Sequence, residues 1–204
     1  VFKGYYNGHG REERATSFSV AKSFLSTLVA AAAEDGLLGL DEPITKRLPE
    51  LAARDARFER FTLRHLMDMR TGIAYRETGL PNGDDAKTYC WPDLRALALQ
   101  HTQVAAEPGP GWLYNNYHPL LMGLVLERAT GMPVAKYLEQ RLWQPAGMAA
   151  GASWSLDSEA SGFEKLESGV NARVLDFARF GELMRMQGVA ADGCRVLRED
   201  TVQA

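Results

Sequence analysis

Between Arg14 and Glu34 the chain carries a single charged side chain, Lys22, in a stretch otherwise built from Val, Ala, Phe, Leu, Ser and Thr. Within it Val20, Ala21, Phe24, Leu25, Leu28 and Val29 recur at helical spacing and cover most of a helix circumference. A helix that is apolar nearly all round is a buried one. The segment from Val20 to about Glu34 therefore reads as a central core helix, with Gly36 placed to end it.

Lys22 is the exception that such a helix has to accommodate. Burying a charged amine is costly unless it is paired, so a lysine kept there needs a hydrogen-bonding partner or must give up its proton. Ser19 stands three residues earlier, on the same helical face and one turn away. Ser19-Val20-Ala21-Lys22 is the only place in the sequence where a lysine follows a serine by three. A serine hydroxyl is a weak nucleophile at neutral pH and needs a base within reach, which Lys22 can supply. At a strand-to-helix turn the Ser19 N–H and the helix dipole also face an incoming carbonyl oxygen. The competing reading is that Ser19 caps the helix and Lys22 extends to solvent. The four-residue spacing alone does not separate the two.

Composition narrows the surroundings. The 204 residues are 46% apolar and 24% charged, the make-up of one globular domain with a sizeable core. The net charge is −3 with Lys and Arg scattered, which argues against nucleic acid as a partner. The longest apolar run, Leu28 to Ala33, is too short for a membrane span, and Val1 to Gly10 carries no targeting pattern from which to assign a compartment. Cys90 and Cys194 read as two unpaired thiols, and His9, His65, His101 and His118 show no metal spacing, each reading as a surface or helix residue. No metal or cofactor is expected. Gly151-Ala152-Ser153-Trp154-Ser155 falls one residue short of a nucleophile elbow.

Along the chain, Val1–Tyr6 and Ala15–Phe18 read as strands of a hairpin around the Asn7-Gly8 turn. Pro43 and Pro49 break an irregular segment from Leu37 to Leu51. Thr62 caps a helix through Met69 ended by Gly72, and Pro92 opens one to about Gln100. Ala74 to Cys90 reads as a long polar loop, a candidate wall for a substrate cleft that brings Tyr75 and Tyr89 near it, with Trp112 alongside. Further helices are expected over Asn116–Thr130, Val134–Trp143 and Ala172–Met186, each followed by Gly or Pro.

A second cluster, Pro108-Gly109 followed by Tyr114-Asn115-Asn116, makes the pattern specific. The order S-x-x-K, then P-G-x-x-x-x-Y-x-N, resembles the serine β-lactamase and D,D-peptidase superfamily, and the Y-x-N form resembles class C β-lactamases, carboxylesterases and 6-aminohexanoate-dimer hydrolases. Leu66-Met67-Asp68-Met69-Arg70-Thr71-Gly72, Gly131-Met132-Pro133-Val134 and Asn171-Ala172-Arg173 are similar to segments of that family in the same order. The resemblance implies an α+β fold, a sheet flanked by helices with an all-helical lobe, of which residues 1–204 form a helix-rich single domain truncated at both ends. It implies Ser19 as nucleophile, Lys22 and Tyr114 as proton carriers, and Asn116 as the amide that binds substrate and helps hold the lysine. The substrate expected is a small amide, ester, peptide or β-lactam, turned over without a cofactor through an acyl-enzyme. The family's closing K-T-G or H-x-G strand is not found. Arg70-Thr71-Gly72 ends a helix and matches an internal turn instead. That incompleteness predicts exposed apolar faces and self-association. The alternative is a non-catalytic binding module on the same fold.

Overall fold

The structure, a computed structural model, describes residues 4–203. The apolar segment forms α1 (Val20–Glu34), with Ala21, Phe24, Leu25, Leu28 and Val29 wholly buried. It ends where Gly36 adopts φ +74° and Leu37 N–H reaches back to the Ala32 carbonyl. Against it packs α6 (Tyr117–Thr130), buried from Tyr117 through Leu126 and closed by Gly131 in the left-handed conformation. The other flank of α1 is aromatic: Phe24 stacks on Phe180 of α8 (Val174–Arg185) with ring centroids 3.9 Å apart, and Trp143 lies 6.0 Å away. These contacts make α1 the centre of the core.

The sheet is small. Strand β1 (Arg14–Thr16) pairs antiparallel with β3 (Val170–Arg173), Ala15 opposite Ala172, and β2 (Ser153–Trp154) pairs with the other edge of β3, giving the order β1-β3-β2. The expected hairpin is therefore corrected. Asn7 and Gly8 do turn, at φ +54° and +81°, but Gly4–Tyr6 forms no strand and Val1–Lys3 lies outside the described residues. Residues 4–14 are exposed, so that segment offers β1 no apolar face to pair with, whereas Val170 and Ala172 do.

Other boundaries moved for similar reasons. Ala172 belongs to β3, where burial alternates residue by residue, and the helix starts at Val174. Pro49 opens α2 (Pro49–Arg54) rather than breaking the chain, as proline in a first turn can. Part of the expected loop is helical: α4 (Asp84–Cys90) begins after Gly83 with two acids in its first turn. Thr62 caps α3 (Leu63–Met67) by accepting from His65 N–H. Pro92 lies just before α5 (Leu94–His101) rather than in its first turn, and Asp93 caps the helix by accepting from Ala96 N–H. The expected helix over Val134–Trp143 is present as α7 (Val134–Leu138), widening into a π turn over Glu139–Trp143. No helix among the described residues is long and apolar enough to cross a membrane.

Candidate active site

Ser19 sits at the junction between β1 and α1. Ser17 N–H continues the β1–β3 pairing by donating to the Val170 carbonyl, and Phe18 then swings to φ +47°, an uncommon conformation for a bulky residue that reverses the chain into the helix. Ser19 occupies the N-cap position, yet its side chain makes no capping bond. The first-turn N–H groups are taken by main-chain carbonyls instead: Val20 by Ser17, Ala21 by Phe18 and Lys22 by Ser19. The Ser19 hydroxyl is thus released from the helix. It accepts from Tyr114 Oη at 2.8 Å and from Lys22 Nζ at 3.2 Å.

Lys22 does not extend to solvent. It is 8% exposed, and Nζ also donates to the Glu167 carbonyl at 2.8 Å and lies 4.9 Å from the centroid of the Tyr114 ring. Of the two ways a lysine can persist in this helix, the structure displays the partnered one.

Tyr114 is delivered by a segment that hangs from the turn after α3. Leu113 N–H donates to the Met69 carbonyl, Gly109 N–H to Arg70, and Ala105 N–H to Gly72. The approach at Gly72 is close enough that a Cβ there would meet the Ala106 carbonyl oxygen at 2.3 Å, and its φ is +76°. Arg70-Thr71-Gly72 is thus an internal turn that carries the tyrosine segment. Its anchor is His118, a helix residue buried on α6: Nε2 meets Thr71 Oγ1 at 2.7 Å and Nδ1 meets Met69 Sδ at 2.9 Å. Burial lowers the His118 pKa to about 3, so the ring is neutral at physiological pH.

Asn116 makes no hydrogen bond to Lys22 among the described residues. It is buried, its Nδ2 donates to Tyr75 Oη at 3.0 Å and Thr88 Oγ1 at 3.2 Å, and its Oδ1 has no partner among the described residues. The segment 74–90 therefore braces the Y-x-N element from behind. Tyr75 is the brace, packed edge-on against Tyr117, and burial pushes the Tyr75 phenol well above its usual range.

Sequence reasoning missed Glu167. Its side chain is wholly buried, Oε1 accepts from Ser168 Oγ, Oε2 has no partner among the described residues, and burial raises its pKa against the pull of Lys22 and Lys165. No pattern signals it, because the contact to Lys22 is through a main-chain carbonyl that any residue could offer.

The profile of the β-lactamase family matches residues 1–203. This chain belongs to the β-lactamase family. Among curated relatives it is 26% identical to the 6-aminohexanoate-dimer hydrolase of Paenarthrobacter ureafaciens over 215 aligned positions, covering 100% of this chain and 54% of that protein. It is 33% identical to esterase EstB of Burkholderia gladioli over 143 positions, covering 64% of this chain and 36% of the esterase. The chain thus spans about half the length, or less, of these relatives. Among solved structures, a candidate 6-aminohexanoate-dimer hydrolase from Bacillus anthracis superposes with a TM-score of 0.86 at 26% identity, over 100% of this chain and 55% of that one. A D-stereospecific amidohydrolase from Streptomyces gives 0.69 at 21% identity, over 97% of this chain and 66% of that one. The fold is that of the β-lactamases and transpeptidases, here a helix-rich portion with a small sheet.

Proposed function

We propose that this chain carries the nucleophilic centre of a serine hydrolase that opens an amide or ester carbonyl through an acyl-enzyme. What supports the reading above all is the convergence of Tyr114 Oη and Lys22 Nζ on the Ser19 hydroxyl, with that hydroxyl unused by the helix whose N-cap position Ser19 occupies.

The chemistry runs through those three groups. Ser19 Oγ attacks the carbonyl carbon while its proton passes to Lys22 as the free amine or to Tyr114 as the phenolate, whichever of the two holds the base form. The two hydroxyls can exchange donor and acceptor roles, since each has one O–H and free lone pairs. The same groups return a proton to the departing amine or alcohol, and water then attacks the ester formed on Ser19. The Ser19 N–H makes no hydrogen bond among the described residues and is one donor for the developing oxyanion. Asn116 enters as the orienting amide. To bind the substrate carbonyl, its Nδ2 exchanges Tyr75 or Thr88 for that oxygen.

The choice of amide and ester over β-lactam leans on the names of the relatives, a 6-aminohexanoate-dimer hydrolase and an esterase. It is tested by offering the intact protein p-nitrophenyl esters, p-nitroanilides of short acids and a chromogenic cephalosporin. Release of p-nitrophenol or p-nitroaniline with an initial burst is the expected result. Turnover of the cephalosporin alone would reassign the substrate class, and no turnover of any of the three would remove the hydrolase reading.

A further inference from the structure

We propose that Phe18 is a specificity-determining residue of this site: together with Val20 it offers the acyl group of the substrate an apolar surface beside Ser19, and so selects apolar acyl chains over short ones. The proposal rests on the serine-hydrolase reading above and adds the acyl class, which that reading leaves open.

The apolar surface coincides with the reacting pair. Phe18 and Val20 are the chain neighbours of Ser19; Phe18 is 66% exposed and Val20 is exposed as well. Trp112 and Leu113 lead into Tyr114, whose hydroxyl lies 2.8 Å from that of Ser19; Trp112 is 62% exposed, and Leu113 is exposed too. Single exposed apolar residues are ordinary on a protein surface, whereas a group of them marks a place where something apolar is bound. Here the group flanks both residues that meet at the nucleophile.

The fold gives no account of the Phe18 side chain. Its φ of +47° is one that glycine takes freely and a bulky residue takes only under constraint. The main chain holds that conformation without help from the ring, since the Phe18 carbonyl accepts from Ala21 N–H at 3.0 Å and from Ser17 Oγ at 3.1 Å. The ring itself buries little among the described residues, so packing does not offset the strain. An aromatic ring kept under those conditions one residue from the nucleophile is placed to touch what binds there. The acyl group is the part of the substrate that stays. When Ser19 Oγ bonds the carbonyl carbon and the amine or alcohol departs, the acyl chain remains tethered to Ser19 until water releases it. Apolar surface that this chain removes from water in the transition state lowers the barrier.

The test measures kcat/KM of the intact protein on p-nitrophenyl acetate, butyrate and hexanoate, which share a leaving group and differ only in acyl length. In the parent, kcat/KM is expected to rise about two- to fourfold per added methylene, the scale of burying a CH2 in part or in full. In Phe18→Gly the hexanoate-to-acetate ratio is expected to fall about fivefold or more, while Phe18→Leu, which keeps an apolar side chain, retains most of it. A thermal melt of Phe18→Gly is expected at or above the parent temperature, because glycine adopts this φ without strain. A Phe18→Gly protein with the ratio of the parent overturns the proposal, and so does a parent whose kcat/KM is flat or falls with acyl length. If the parent turns over none of the esters, the hydrolase reading and this inference fall together.

Discussion

Tyr114 and Ser19 lie 95 residues apart in the chain and 2.8 Å apart in space, hydroxyl to hydroxyl. Two separate devices produce that meeting: a strained Phe18 that turns β1 into α1, and a turn at 69–72 that carries the tyrosine segment across to it.

Removing the phenol alone should therefore disable the chemistry without disturbing the fold. Tyr114 is 38% exposed, and its hydroxyl serves only Ser19 among the described residues. Tyr114→Phe is expected to slow Ser19 acylation about 10²-fold or more, the usual contribution of a placed proton carrier, with an unchanged melting temperature. Stopped-flow acylation and a thermal melt check the two halves.

The Ser19 hydroxyl does not cap α1, so Ser19→Ala should be thermodynamically quiet. A capping serine lost to alanine costs about 1 kcal/mol, whereas here the change is expected to stay within about 0.5 kcal/mol by urea titration. A larger loss would mean that the hydroxyl serves the helix.

Gly72 is the converse case: it takes no part in the chemistry itself, yet the structure around it is sensitive to any side chain. With φ at +76° and the Ala106 carbonyl oxygen 2.3 Å from where a Cβ would sit, Gly72→Ala is expected to destabilise the protein by about 2 kcal/mol or more. The same shift loosens the segment bearing Tyr114, so acylation should fall as well. Calorimetry and labelling kinetics on one sample read both.

His118 gives the fold a dependence on acid. Its folded pKa of about 3 lies below the ordinary 6.5, so the unfolded chain binds the proton more readily and stability drops as pH falls through 6.5 toward 3. The slope this one ring contributes is up to about 1.4 kcal/mol per pH unit. Urea unfolding at pH 7, 6 and 5 should show the gap between the parent and His118→Gln narrowing at each step. A gap that stays constant would mean the ring is not held neutral.

What could be read from residues alone divides along physical lines. Helix α1 was legible because a run with one charge has few ways to fold, and its bounds match those observed. Ser19 and Lys22 were legible as a spacing, and Tyr114 as part of a resemblance to a family that the profile match then showed. The partner of β1 was not legible, since pairing across more than 150 residues leaves no local signal. Helix α4 was hidden by its polarity, although Gly83 followed by two acids was a start signal of the ordinary kind. Glu167 was invisible because its contact with Lys22 is made by the main chain. The partners of Asn116 were equally hidden, because Tyr75 and Thr88 meet it from a segment read as loop.

The most direct measurement is the site of covalent capture. Intact protein incubated with a fluorophosphonate, digested and sequenced by mass spectrometry, is predicted to carry the adduct on Ser19, with none in Ser19→Ala and a slow one in Tyr114→Phe. An adduct at any other residue, or a Ser19→Ala protein that labels as fast as the parent, would contradict the assignment of Ser19 as the nucleophile.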